Sequence, residues 1–350
     1  MATNTLKKIK SLRHQLLQYR KEMKKRKTSY KRRRYGRVIA RNAEIQTIRD
    51  IVQTQPVNMP APENFSLVDN TNKVVGYLND CRAKLHKDKK ITIDISQIES
   101  LSTDAIALLV ACVNDNNFLG KYGQIIGNAP SKIELTKLFV ESGFYQHVQS
   151  ENQILKHVDQ TDKNLLHRES HVKVQSDIAK KACQLGTKHV FNNESPFPIV
   201  YEMLIEAMSN TNNHANREEK GKTKWWLYVY NAPNNKTCYS FVDLGVGIFD
   251  SVPVALYKKV AMFLNFSHNA DLVKDLLEGR IKSREKIDQN IRGKGIPQIA
   301  RNSESDKICR AYIISNDVKI DLKTKSAERL ENNFNGTFLY WELINPQNIK

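Results

Sequence analysis

This chain is poor in the patterns that mark an exported or metal-bound protein. Its five cysteines, Cys81, Cys112, Cys183, Cys238 and Cys309, stand singly. None has the paired spacing of a metal or redox motif, so a disulfide framework and a structural zinc site are not expected and the thiols read as reduced packing residues. No stretch approaches the ~18 uncharged apolar residues that would suggest a membrane span. The opening residues, MATNTLKKIKSLRHQLLQYR, lack the continuous apolar run and small-residue cleavage site of a secretory leader. A soluble, cytoplasmic protein without integral membrane association is the expectation.

Acidic residues are nearly missing from one place. Between Met1 and Arg41 Glu22 faces sixteen lysines and arginines, so this segment carries +15 of the chain's formal +18. Leu6, Ile9, Leu12, Leu16, Tyr19 and Met23 recur at helical spacing and lead into KKRKTSYKRRRYGR, which predicts a basic helical extension. Lys24, Lys25, Arg26, Lys27, Lys31, Arg32, Arg33, Arg34 and Arg37 lie among Tyr30 and Tyr35. Cations interleaved with aromatic rings suit phosphate contacts and base stacking, so DNA, RNA or another polyanion is the expected partner of residues 1–41. A solvated tail, an acidic membrane surface and an acidic protein stay open.

Length and pattern divide the rest into an α/β protein of two domains. VQTQPVNMPAPE, with three prolines and no periodicity, reads as a linker. After it come a short strand FSLVD, a helix around VVGYLNDCRAKLHK, a strand KITIDIS, a helix TDAIALLVACVNDN, a strand QIIGN and a helix SKIELTKLFVESG. Ile106, Leu109, Val110 and Val113 mark the expected buried stripe of the second helix. ITIDISQIESLSTDAIALLVA resembles the strand, loop and helix of STAS domains, the anti-sigma-factor-antagonist fold of bacterial partner switches. That resemblance implies a protein-docking module. Where antagonists carry a phosphorylated serine this chain has Asp104, beside Ser102 and Thr103; a carboxylate is no substrate for a serine kinase, and Asp104 or a neighbour is expected to cap the helix.

The second half carries the chemistry. PFPIVYEMLIEAMSNTNNHA predicts a partly buried helix started by proline, and Glu206, Asn210 and His214, four apart, share one of its faces. KWWLYVYNA and KTCYSFVDLGVGI read as hairpin strands, the second ending in Asp243, Gly245 and Gly247. Such glycines allow a tight turn against a ligand, and Asp243 offers a carboxylate acceptor. RGKGIPQIARNS then places Gly293 and Gly295 before a helix, with Arg292 and Lys294 beside them, where amides and cations can hold phosphate. NGTFLYWEL puts Gly336 and Thr337 at the head of a closing strand.

This order of motifs resembles the GHKL ATPases, the family of gyrase, the large heat-shock chaperone, histidine kinases and MutL. The resemblance implies a Bergerat α/β sandwich binding ATP and magnesium under a lid between the glycine motifs. By the same resemblance, Asn210 would hold magnesium, Asp243 would read the adenine amine, Thr337 would support the adenine edge, and Glu206 would activate water or a hydroxyl. Arg284, Arg292 and Lys294 would neutralise the γ-phosphate; His214 is left between phosphate neighbour and helix cap. The expected division is 1–58 basic tail and linker, 59–150 STAS-like domain, 151–194 connector and 195–346 GHKL domain. An ATPase acting as an ATP-gated switch on nucleic acid or a protein, in bacterial regulation or phage defence, is the preferred output. A serine/threonine kinase of the partner-switching type and a non-catalytic ATP-binding protein are the alternatives, and a homodimer stays open.

Overall fold

The computed structural model describes Gln15 and residues 55–121, 123–142, 144–146, 164–167, 174–215, 223–251, 268–280 and 295–348. The basic cluster expected to meet nucleic acid, Lys24, Lys25, Arg26, Lys27, Lys31, Arg32, Arg33, Arg34 and Arg37, lies outside these residues.

The first structural layer is a parallel sheet. β1 (Val57–Pro60), β3 (Lys90–Asp94) and β5 (Gln124–Gly127) pair in the order β1-β3-β5. β2 (Asn64–Phe65) and β4 (Ser100–Leu101) form a separate two-stranded ladder. β1 corrects the linker reading of VQTQPVNMPAPE, since half-buried Val57 and Met59 pair with Ile91 and Ile93. Its prolines concealed it: an edge strand bonds on one side only and so tolerates Pro60 at its end. FSLVD likewise differs from expectation, because pairing stops at Phe65 and Ser66–Asp69 turn towards the first helix.

That helix, α1 (Thr71–Leu85), and α2 (Thr103–Asn114) cross back over the parallel sheet, followed by short α3 (Asn116–Leu119) and by α4 (Ile133–Glu141). Ile91, Ile93 and Ile125 bury one face of the sheet against α1 and α2. The other side of this helical layer meets a second sheet. β6 (Asn164–His167), β7 (Trp225–Ala232), β8 (Lys236–Asp243), β9 (Ile308–Asp321) and β10 (Ser326–Leu343) form an antiparallel sheet ordered β6-β7-β8-β10-β9. α1 lies against β10, and α2 lies across β7 and β8. Packed between two sheets, α2 is buried without a break from Asp104 to Asn114, where a stripe was expected.

On the far face of the large sheet lie α5 (Ser176–Phe191) and α6 (Pro198–His214), with α9 (Gly295–Ser303) against α6. The short α7 (Ile248–Ser251) and α8 (Val273–Leu277) lie between α6 and α9 in the chain. Coverage on both faces explains the continuous apolar run of β7, because a strand alternates its side chains. Trp226 and Tyr228 join the core with α1 and α2, whereas Trp225, Leu227 and Val229 join the core with α5 and α6. The architecture is thus mixed α/β in four layers, and the stretch 151–194, read as a connector, supplies β6 and α5. Among the described residues no helix is long and apolar enough to cross a membrane.

The loop from Ser66 to Asp69 joins the two halves. Asp104 Oδ2 accepts from Val68 N–H at 2.7 Å and the Ser66 hydroxyl at 3.3 Å, while Lys319 Nζ donates to the Val68 carbonyl at 2.6 Å and Arg310 pairs with Asp69 at 2.6 Å. Asp104 is therefore a staple between α2 and this loop, and of the residues expected at the cap its neighbour Ser102 takes the N-cap position. Burial raises its carboxyl from 3.8 to about 6, against the lowering effect of the Val68 and Ala105 amides. A raised carboxyl contributes stability that is fully present below the unfolded value and is lost as pH rises through the folded one. Asp104→Ala, which strands the Val68 N–H, is expected to cost about 1–3 kcal/mol at pH 4.5 and less at pH 8. Paired urea melts at the two pH values check it, and a larger cost at pH 8 would contradict the staple.

Candidate functional site

The site grows from α6. Pro198 at the first helical position fixes the entry, and Val200, Met203, Leu204, Ala207 and Met208 bury one side. The four-residue step then carries Asn210 and His214 to a cleft with about 530 Å³ of empty space, partly open to solvent. Asp243 and Gly247 from the turn after β8 and Thr337 from β10 line the same cleft. Three stretches separated in sequence thus meet at one place. Phe241, Ile296 and Leu339 give it apolar walls.

Glu206 sits one turn before Asn210, half-buried, and is not among the residues lining the cleft. A turn earlier again, Glu202 Oε2 accepts from Gln298 at 3.1 Å and from Asn302 at 3.0 Å, locking α6 to α9. Arg284, Arg292, Gly293 and Lys294, and most of the stretch 249–291 read as a lid, lie outside the described residues.

Asp243 is only 3% exposed. Its Oδ1 accepts from Gly245 N–H at 3.0 Å and its Oδ2 from the Thr211 hydroxyl at 3.0 Å. Burial pushes the carboxyl up from 3.8 to about 6, partly offset by these bonds and by the Thr337 amide. Two oxygens carry about four acceptor positions, so capacity is left for a donor arriving from the cleft.

The Asn210 amide supplies a second polar group. Its Nδ2 is buried and has no hydrogen-bond partner among the described residues, a condition that native interiors rarely leave without a reason. The backbone of α9 approaches the same amide, and a Cβ on Gly295 would stand 2.6 Å from Asn210 Oδ1. Only glycine lets the start of α9 come so close, and helix starts favour anions. An amide oxygen is also a hard ligand of the kind magnesium accepts alongside phosphate oxygens. The residues present could hold a magnesium–nucleotide ligand, since Asn210 offers an oxygen of the kind magnesium accepts and Asp243 an acceptor for an amine.

Sequence reasoning overlooked the parts that hold the turn. Ser315 Oγ accepts from Ile248 N–H at 2.8 Å and donates to the Gly336 carbonyl at 2.7 Å. Asn316 accepts from Phe249 N–H at 3.1 Å and donates to the Val246 carbonyl at 3.1 Å. Gly247 has φ +82, and any Cβ on it would overlap the Asn316 amide. The polar Ser-Asn-Asp in the middle of the apolar run AYIISNDVKI was the available signal. Thr211 had one too, because it continues the buried stripe of α6 and a polar residue there needs a partner.

The layers and the cleft define an α/β protein with a buried carboxylate and an amide nitrogen, unpaired among the described residues, at one apolar-walled site. Comparison of the chain with protein-family models, with curated proteins and with solved structures finds no match.

Proposed function

We propose that the cleft binds ATP with magnesium and that the protein is a GHKL-like ATPase working as an ATP-gated switch on nucleic acid or a protein partner. The reading is carried by the convergence of Asn210, His214, Asp243, Gly247 and Thr337 on one cleft. Asp243 would accept from the adenine amine, which the protonated form of the carboxyl would not do as well, and Phe241 and Leu339 would offer the base an apolar wall. Asn210 would hold magnesium through its amide oxygen, and the metal would supply positive charge against the phosphates. The start of α9 at Gly295 adds backbone donors. Glu206, one turn before Asn210, would take the proton of the attacking water. Arg284 from the lid stretch, and Arg292 and Lys294 beside Gly293, would supply charge to the γ-phosphate, and residues 1–41 would carry the signal to DNA or RNA.

The test is incubation of the full chain with labelled ATP and magnesium, with and without DNA or RNA, following free phosphate and protein-bound label. Phosphate release that nucleic acid stimulates, and that falls by about 100-fold in Glu206→Ala while ATP binding persists, is the expected result. Label on a copurifying protein instead would make the protein a kinase, and silence with retained binding would make it a binder. Deletion of residues 1–41 is expected to remove salt-sensitive nucleic-acid binding; binding that survives the deletion would refute the role of the tail.

A further inference from the structure

Three consecutive residues of β9, Ser315, Asn316 and Asp317, hold both short helices that border the cleft. Asn316 is 2% exposed and sits where the pairing of β9 with β10 slips: it stands opposite Phe334, while Ser315 stands opposite Thr337. Its φ is 52°, in the left-handed region that asparagine enters more readily than most residues. Its side-chain amide bonds back over the glycine turn, accepting from Phe249 N–H and donating to the Val246 carbonyl, both at 3.1 Å. Ser315, wholly buried, adds the Ile248 N–H. The residue left over in this stretch is Gly247, where a Cβ would stand 2.3 Å from Asn316 Oδ1.

Asp317 reaches the opposite wall. Its Oδ1 accepts from Asn269 Nδ2 at 2.5 Å, at the head of the 3-10 turn Asn269–Leu272 that runs directly into α8. Arg329 of β10, 3.9 Å from Asp317 Oδ2, bonds the ring of His268 at 3.1 Å beside it. Ile248 and Ser251 of α7 line one part of the cleft and Leu276 of α8 another. A slipped register and a left-handed residue forgo regular ladder bonds in the middle of a strand, and such departures gather where side chains must be re-aimed at a site.

We infer that Ser315, Asn316 and Asp317 are positioning residues of the cleft: Ser315 and Asn316 fix the turn that brings the Gly245 amide to Asp243, and Asp317 fixes the α8 wall. The link to Asp243 is short. Gly245 N–H donates to Asp243 Oδ1 at 3.0 Å, and the neighbouring Val246 carbonyl is the group that Asn316 holds. Releasing it frees the turn to carry the Gly245 amide away, and the carboxylate loses a fixed donor that orients it. That Asp243 then misplaces the base of a nucleotide rests on the nucleotide reading; the hold on the turn does not.

Asn316→Gly keeps the left-handed backbone and removes both side-chain bonds, so it separates the hold from backbone strain. Hydrogen exchange of the full chain without nucleotide reads the turn. The rate at the Gly245 amide is taken relative to that at Phe241, in the middle of β8, so that a general loss of stability cancels. This ratio is expected to rise about tenfold in Asn316→Gly and by less in Ser315→Ala, the gentler change. Asp317→Ala is expected to raise the ratio at Val273, the first residue of α8, and to leave Gly245 as in wild type. Ile93→Val, in the core of the first sheet, is the control and should move neither. Calorimetry with ATP and with inosine triphosphate, each with magnesium, then reads the site: Asn316→Gly should lower the preference for ATP several-fold, and the control should keep it. Unchanged exchange ratios in the β9 variants, or an equal change in Ile93→Val, would overturn the inference, and so would a preference for ATP that Asn316→Gly leaves intact. A wild-type chain that binds neither nucleotide while the exchange ratios respond removes the nucleotide reading and leaves the positioning role standing.

Discussion

Asp243→Asn is expected to weaken ATP binding by about 100-fold or more while making the unliganded protein more stable at pH 8. Both effects come from one buried carboxylate. Asparagine keeps the shape and one acceptor oxygen, but its amide nitrogen presents donors where the adenine amine also donates, and the site loses a charge-assisted bond. The stability effect has the opposite sign because burial has raised Asp243 from 3.8 to about 6. Its stability contribution is complete below the unfolded value and is lost as pH rises through the folded value, a loss of about 3 kcal/mol for a shift of about two units. The variant is spared that loss, so its advantage should be near zero at pH 4 and grow to about 1–3 kcal/mol by pH 8. Urea melts across that range check the first half. For binding, ATP should be compared with inosine triphosphate, because the terminal phosphate itself titrates near pH 6 and the ratio cancels it. Wild-type preference for ATP should shrink below pH 6 and be absent in Asp243→Asn. A variant that keeps the preference would show that Asp243 does not meet the base.

What the sequence revealed and what it hid follow from how local each cue is. α6 and the turn after β8 were readable because their cues lie within one element: a proline start, a four-residue step, an Asp-x-Gly-x-Gly at a strand end. The helices of the first half were readable for the same reason. α2 was misjudged in its surroundings, since a helix held between two sheets shows no polar face, and nothing in TDAIALLVACVN says which second sheet lies over it. β6, in the polar stretch 151–194, gave no periodic signal, and it exists by pairing with β7. The cleft depends on contacts between distant segments, which is why Asn210 and Asp243 could be named in advance but the Ser315–Asn316 clamp could not. Glu206 shows the limit of spacing: it shares a helix face with Asn210, yet that face runs from the α9 contact at Glu202 to the cleft, and Glu206 falls between the two.

Gly336→Ala is expected to be the most damaging single-methyl change in the described structure, lowering stability by about 3–5 kcal/mol and abolishing nucleotide binding. Gly336 has φ +140, a conformation that side chains rarely adopt, and a Cβ there would overlap the carbonyl oxygen of Asp243. The strain alone costs about 1–3 kcal/mol, and relief would require either β10 or the glycine turn to move. Neither can shift alone. Thr337 is the cross-strand partner of Asp243, and Ser315 joins the Gly336 carbonyl to the Ile248 amide across the turn. Displacing the Asp243 carbonyl would also move the turn that carries Gly245 and Gly247. Gly127→Ala is the matched control: at the end of β5 its added Cβ would meet nothing closer than the Ile93 carbonyl at 3.6 Å, an ordinary contact. That variant should stay within about 0.5 kcal/mol of wild type. Urea melts of the two proteins, with ATP titrations of each, make the comparison. Similar stability in both would mean that β10 and the turn are not locked together.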